Sequence, residues 1–480
     1  MKRSRSPWMM MSIIFLFVLT LLVPNSAHAV SIVEHPKTQV LDEYIDRTLR
    51  SLNIPAASIM ISQGRNLIYH RSFGENITMN ARFYIGSVTK TFTGLAIAQL
   101  VDAGRIDLNH SVSTYIPEFE LSEHIKVKHL LHHMSGMSES EYNSFGALDP
   151  SATFLDMVHD MNGMRLSYTP GTTFAYFNAG YSLLGLIIEN VTGYSYVEYM
   201  QQHVLNPLGL NNISLTGDVE VNGHLSFFGF SVQRPERFVN YDLPGGFMSS
   251  SAKNLIAFFD AIRLRDPRLG LNEQGFETFL QVNAVNEFYS MGLMHYPLGG
   301  RPAIHHGGSL PGFVTNAIIL PEEDMSIVIL LNKNHLLLAT TFQPDLSEGI
   351  IRILSNQEPP TRFELFWLFR ALLLVVVLVI GLNVRKFIQM LKYPQQLSIN
   401  QRVRSIIVNG VIVFGLALSM PWIGSVLFPQ RGFDLRLAFL LMPDLISFLF
   451  IGLSMHIIEI VVHSWILSTQ HRINYKKTRS

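Results

Sequence analysis

Cysteine is absent from all 480 residues, charged residues make up only 15% and the formal net charge is zero. Without cysteine there are no disulfides, so an exported domain of this chain must be held by its core alone. Balanced, sparse charge removes the electrostatic footprint of a nucleic-acid binder, and no basic cluster interleaved with aromatics occurs outside the flanks of the apolar C-terminal segments. What the chain has in quantity is apolar sequence, 48% of residues, which points to membrane segments beside a globular body.

Residues 1 to 29 have the form of an export signal. Lys2, Arg3 and Arg5 precede an apolar run from 9 to 23, and Ala27 and Ala29 supply the small residues of a cleavage site, expected after Ala29 with an uncleaved anchor as the alternative. Residues 30 to 358 are then the extracytoplasmic domain, long enough for a core. After Pro359-Pro360 the composition changes, and three spans are expected at about 363–384, 405–428 and 437–467 within a membrane region 359–480. Arg385, Lys386, Lys392, Arg402 and Arg404 lie between the first two spans, and Arg472, Lys476, Lys477 and Arg479 follow the third. The positive-inside rule makes that loop and the C-terminus cytoplasmic, which leaves residues 30–358 outside a multi-pass cell-membrane protein. Asp444, His456 and Glu459 fall in the third span, where ionisable groups either serve a function or pair within the bundle.

Within the outer domain, apolar periodicity predicts a helix over 38–51, strands over 56–62 and 67–72, helices over 154–161, 179–191, 196–204 and 252–262, strands over 303–306, 314–320 and 325–331, and a last helix over 338–354. Strands at both ends with helices between them imply an α/β (α+β) fold: one antiparallel sheet built from the two termini, flanked by helices and carrying a helical insertion.

Chemistry concentrates at three places. In Phe83-Tyr84-Ile85-Gly86-Ser87-Val88-Thr89-Lys90 an extended segment runs into Gly86 and helical spacing begins at Ser87. Ser87 and Lys90 are one helical turn apart and so within reach of each other. A serine hydroxyl needs an adjacent base to become a nucleophile, and a lysine serves as one when desolvation or nearby positive charge favours its neutral form. Ser250 and Lys253 share the spacing ahead of another apolar helix, so spacing alone does not choose between the pairs. Tyr176 and Asn178 alternate around Phe177, which in an extended loop points both polar groups one way. A phenol beside a lysine can relay its proton; otherwise Tyr176 is a structural tyrosine. In His305-His306-Gly307-Gly308-Ser309 a strand ends and turns, with glycines that let backbone approach a substrate. Adjacent histidines here and at His132-His133 face opposite ways on a strand and have no carboxylate cluster beside them, which argues against a metal site.

Ser-x-x-Lys, Tyr-x-Asn and His-x-Gly in this order resemble the penicillin-recognising serine hydrolases, nearest the branch of class C β-lactamases, D-alanyl-D-alanine carboxypeptidases, S12 peptidases and related esterases. The segments Leu130-Leu131-His132-His133-Met134-Ser135-Gly136-Met137, Pro170-Gly171, Asn206-Pro207-Leu208-Gly209-Leu210 and Gly245-Gly246-Phe247-Met248-Ser249-Ser250 match the same pattern over about residues 38 to 355. Motif order favours Ser87-Lys90, because Ser250-Lys253 follows the Tyr176-Asn178 pair. The resemblance implies a β-lactamase/transpeptidase-like fold, Ser87 as acylated nucleophile, Lys90 and Tyr176 as proton-transfer pair, and Asn178 as a contact to the substrate amide. It puts the N–H groups of Ser87 and Ser309 in the oxyanion hole, with His306, Gly307 and Gly308 lining the closing strand, and it implies no cofactor. Many relatives carry Lys-Thr-Gly where this chain has His306-Gly307-Gly308, so a substrate carboxylate should be held less firmly. The expected function is hydrolysis of peptides with D-amino acids, of penicillin-binding-protein or D-peptidase type. Alternatives are an esterase, a non-catalytic β-lactam or muropeptide sensor, and, since the layout also resembles peptidases that remove an N-acyl-D-asparagine group from secreted precursors, a prodrug-activating peptidase.

Overall fold

The computed structural model describes residues 36–142, 148–335, 343–360, 365–393, 397–427 and 442–477. The expected signal segment 1–29 and residues 338–342 of the expected last helix lie outside them.

Helix α1 (Thr38–Ser51) leads into strands β1 (Ala57–Gln63) and β2 (Asn66–Phe73). After the helical insertion come β3 (Met294–His295), β4 (Ile304–Leu310), β5 (Phe313–Leu320) and β6 (Met325–Leu331). Together they form one six-stranded sheet in the order β2-β1-β6-β5-β4-β3, antiparallel throughout. The N-terminal hairpin thus joins the C-terminal strands along β1 and β6, as the strand pattern implies. All seven residues of β6 are buried, as expected of a strand covered on both faces.

Alternation along the strands sorts the core into two layers. Ile59, Ile61, Ile318, Ile327 and Ile329 pack with Leu41, Ile45 and Leu49 of α1 and with Ile350 of the helix Gln343–Leu354. Met60, Ala317, Val328 and Leu330 face the other way, onto Phe92 and Leu95 of helix α2 (Thr89–Asp102), Phe258 of the helix Ala252–Arg263, and the insertion.

The structure corrects three local expectations. The α-helix starts at Thr89, two residues beyond Ser87, which sits in a 3-10 turn Gly86–Val88. The strand expected over 303–306 continues to Leu310, because Gly307 and Gly308 stay in register with Asn316 and Thr315 of β5; the turn is at Pro311-Gly312. The insertion also contains short strands, among them a hairpin of His224–Phe227 and Phe230–Gln233, too brief to leave a periodic signal.

Among the described residues three long helices follow, Leu365–Lys392, Ile399–Leu427 and Pro443–Lys477. Among the described residues two segments, Leu373–Lys392 and Ile446–Thr469, are long and apolar enough to cross a membrane, where the hydropathy pattern predicts three. The second expected span falls on Ile399–Leu427, of which the side chains after Ser419 lie outside the described residues, as does the start of the third near 437–441. The ionisable groups of the third span are all partnered. Asp444 meets His335 at 3.1 Å, Glu459 meets Lys386 at 2.6 Å and accepts from Asn409 at 2.9 Å, and His456 meets Asn409 at 2.7 Å.

Candidate active site

The site forms where the turn before α2 abuts β4. Gly86 has φ of +53°, and a Cβ there would lie 2.6 Å from Ser309 N, while one on Gly308 would lie 1.9 Å from Ile85 O. Both glycines are required by this contact, which brings the Ser309 amide against the Ser87 turn.

Lys90, the second residue of α2, is fully buried. Its Nζ contacts Ser87 Oγ at 3.2 Å, Asn178 Oδ1 at 2.8 Å and Gly245 O at 2.5 Å. An ammonium places all three protons on these acceptors. A neutral amine in the same position donates to Asn178 and Gly245 and presents its lone pair to the Ser87 hydroxyl, which is the arrangement that makes serine nucleophilic.

Asn178 is oriented from behind by Glu139, a residue the motifs do not single out. Glu139 is only 5% exposed, and its Oε1 accepts from Asn178 Nδ2 at 3.0 Å and Asn178 N at 3.1 Å. The amide oxygen is thereby turned towards Lys90. The expected contact of Asn178 to a substrate amide is left to its remaining Nδ2 proton and its second carbonyl lone pair.

Tyr176 places its ring centroid 5.0 Å from Lys90 Nζ and lies over the His133 ring at 4.1 Å. Among the described residues its hydroxyl makes no hydrogen bond with Ser87 or Lys90, so the pair adjoins without being bonded. His306, expected to line the closing strand, is 1% exposed with its ring held in a buried network. Its Nε2 meets Tyr289 Oη at 3.0 Å and its Nδ1 meets Gly307 O at 2.6 Å. Burial first, and the Lys90 charge second, push its pKa down to about 3; the same two causes hold His133 well below the usual histidine range. Ser309 is exposed, and its Oγ accepts from Asn334 Nδ2 at 2.9 Å.

The competing pair separates at once. Ser250 is buried on a short strand while Lys253 is exposed. His132 and His133 diverge as well, with His132 Nδ1 on Tyr289 O at 3.0 Å and His133 Nε2 on Tyr289 Oη at 3.2 Å. Sequence reasoning missed Glu139, Tyr289, Asn334 and the Gly245 carbonyl. Of these only Gly245 sits in a segment that carries the family resemblance.

The family described as Beta-lactamase matches residues 41–343. Protein flp of Staphylococcus aureus (strain NCTC 8325 / PS 47) is 28% identical over 316 residues, which is 62% of this chain and 63% of that protein; the chain thus spans less than two thirds of this relative's length. The putative penicillin-binding protein PbpX of Bacillus subtilis (strain 168) is 26% identical over 220 residues, 44% of this chain and 51% of its own. Among solved structures, the octameric penicillin-binding protein homologue from Pyrococcus abyssi superposes with a TM-score of 0.59 at 25% identity, covering 70% of this chain and 81% of that one. A class C beta lactamase shares the fold at a TM-score of 0.56 and 19% identity, covering 66% and 97%. The match takes in the sheet, the Ser87 turn and the Lys90 cradle as one unit, and the chain belongs to the beta-lactamase family of serine hydrolases.

Proposed function

We propose that the chain is a membrane-anchored, extracytoplasmic serine hydrolase that forms an acyl-enzyme at Ser87, acting on peptides that contain D-amino acids. The observation that carries this reading is the buried Lys90 amine against Ser87 Oγ, 3.2 Å apart, with Asn178 and Gly245 as its other partners.

In this reading Ser87 Oγ attacks the substrate carbonyl and its proton passes to Lys90. The N–H groups of Ser87 and Ser309 face the oxygen of the tetrahedral intermediate. As the amide bond breaks, the leaving nitrogen takes a proton from Lys90, directly or through Tyr176 once substrate closes the gap between them. Water then attacks the acyl-enzyme and gives its proton to the same pair, which returns it to Ser87 Oγ as the Oγ–acyl bond breaks and the acid leaves. Asn178 and the end of β4 at Gly307, Gly308 and Ser309 bind the substrate backbone. With His306 neutral and turned towards Tyr289, the third motif presents no fixed cation, which favours amides and esters over substrates recognised by a free carboxylate. That is the specific observation behind a second reading, an esterase or an N-acyl-D-amino-acid peptidase acting on an exported precursor.

The two apolar helices support the anchor, and the export-type segment at 1–29 supports the outward placement. A fluorescent penicillin or fluorophosphonate probe is expected to label the wild type and not Ser87→Ala; equal labelling of both rejects the acyl-enzyme. Peptides ending in D-Ala-D-Ala, N-acyl-D-Asn peptides and short-chain esters then separate the substrate classes.

A further inference from the structure

We infer that the hairpin His224–Phe227/Phe230–Gln233 of the outer domain is seated on the bilayer surface, with Phe230 and Val232 inserted at the headgroup and acyl-chain boundary. This rests on the reading of the C-terminal helices as membrane-crossing.

The hairpin turns through Phe228 and Gly229, both at positive φ (+49° and +78°), the twist that a two-residue turn between antiparallel strands requires. One side of it is fixed to the domain. Ser231 Oγ donates to Asn53 O at 2.6 Å and Asn53 Nδ2 donates to Gly229 O at 3.3 Å. Because side chains alternate along a strand, Ser231 pointing inward sends Phe230 and Val232 outward. They are 44% and 48% exposed, a paired apolar face on a short strand that the described residues of the outer domain do not cover.

Two separate contacts set the height of this face. The Arg370 guanidinium lies over the Phe230 ring at 3.4 Å, and Arg370 precedes the apolar segment Leu373–Lys392 by less than a turn. On the far side, strand His224–Phe227 pairs with Lys333–Asn334, and the next residue, His335, bonds Asp444 at 3.1 Å, just ahead of the apolar segment Ile446–Thr469. Both apolar segments therefore begin at the level of the hairpin. That level is the interface of any bilayer the helices cross, where an aromatic ring beside an arginine is favourably placed. The occupant of the face is lipid, since it is continuous with the helices' own apolar surface, where Leu374 and Val377 are 70% and 59% exposed. One consequence reaches the site. Asn334, held in the same small sheet, donates to Ser309 Oγ at 2.9 Å, so the membrane-seated hairpin and the closing strand share a support.

The absence of cysteine makes the test direct. Single cysteines at Val232, Trp465 and Val285 of the full-length chain are labelled with a nitroxide and reconstituted in phosphatidylethanolamine/phosphatidylglycerol liposomes. Power saturation then compares collision with oxygen and with a water-soluble nickel chelate. Trp465, 60% exposed on the last helix, reports lipid; Val285, 57% exposed on a loop whose Asn286 bonds the His132 carbonyl, reports water. All three positions are exposed, so the substitutions leave the core intact, and probe labelling of Ser87 confirms folding. The expected result is a several-fold drop in nickel collision at 232 relative to 285, approaching that at 465. A water-like label at 232 with a lipid-like one at 465 overturns the hairpin inference alone. Water-like labels at both overturn the membrane reading and the inference with it.

Discussion

The hydroxyl of Tyr289 meets Nε2 of His306 at 3.0 Å, and Nε2 of His133 stands at 3.2 Å from it. The ends of this chain assign every proton in it. His133 Nδ1 accepts from the Phe177 amide at 3.2 Å, so a neutral His133 carries its proton on Nε2 and donates it to Tyr289. His306 Nδ1 faces the Gly307 carbonyl, so it carries the proton, and Nε2 accepts from the Tyr289 hydroxyl. A one-way sequence of hydrogen bonds thus joins the Tyr176–Asn178 loop to β4 beneath Lys90.

Replacing Tyr289 by Phe strands the His133 donor and the His306 acceptor in the core. A loss of about 1–3 kcal/mol is expected for such an unsatisfied pair, read from chemical denaturation. Two-bond ¹⁵N–¹H spectra of the wild type should show His133 as the Nε2–H tautomer and His306 as the Nδ1–H tautomer; the opposite assignment at either ring contradicts the proton order.

Lys90→Ala should slow acylation of Ser87 by about 10²- to 10⁴-fold, the usual contribution of a general base, measured as the time course of penicillin-probe labelling. Lys90→Arg should not restore it, because a guanidinium keeps its proton. Recovery by arginine would mean that only the positive charge matters.

Glu139→Ala removes the acceptor that orients Asn178. Acylation should fall and the melting temperature drop, with Glu139→Gln recovering part of both because one amide oxygen still accepts. An unchanged labelling rate in Glu139→Ala would show that Asn178 holds its orientation without this partner.

Gly308→Ala drives a methyl group into the Ile85 carbonyl, 1.9 Å from the position of the new Cβ. Separation of β4 from the Ser87 turn is expected, with destabilisation of about 4 kcal/mol or more, the range reached only by severe core disruption. Limited proteolysis and a thermal melt would register it, and wild-type resistance in the variant would refute the close approach.

Acid should destabilise the fold through His306. Its pKa is about 3 when folded against a usual value of 6.5, so between these pH values the unfolded chain binds a proton that the folded one does not. Stability therefore rises with pH across this window and is lost as pH falls from about 6.5 towards 3, by at most ~1.4 kcal/mol per pH unit for this ring. His306→Asn should flatten the decline of melting temperature between pH 7 and pH 4; parallel curves for variant and wild type would assign the acid sensitivity elsewhere.

What the sequence determined by itself was whatever depends on neighbours along the chain. The spacing of one helical turn put Lys90 within reach of Ser87. The apolar runs at residues 56–62 and 325–331 read as strands and the apolar stretches after Pro360 as long helices from local pattern alone. Tertiary structure alone decided which of two Ser-x-x-Lys pairs is buried with acceptors around its amine and which leaves its lysine in water. It alone turned the Asn178 oxygen towards Lys90, by packing Glu139 behind it, and set Tyr289 between histidines that lie far before and just after it in the chain. Spacing along a helix is a property of the backbone. A proton shared between distant side chains exists only once the core has excluded water and left each polar group with fixed protein partners.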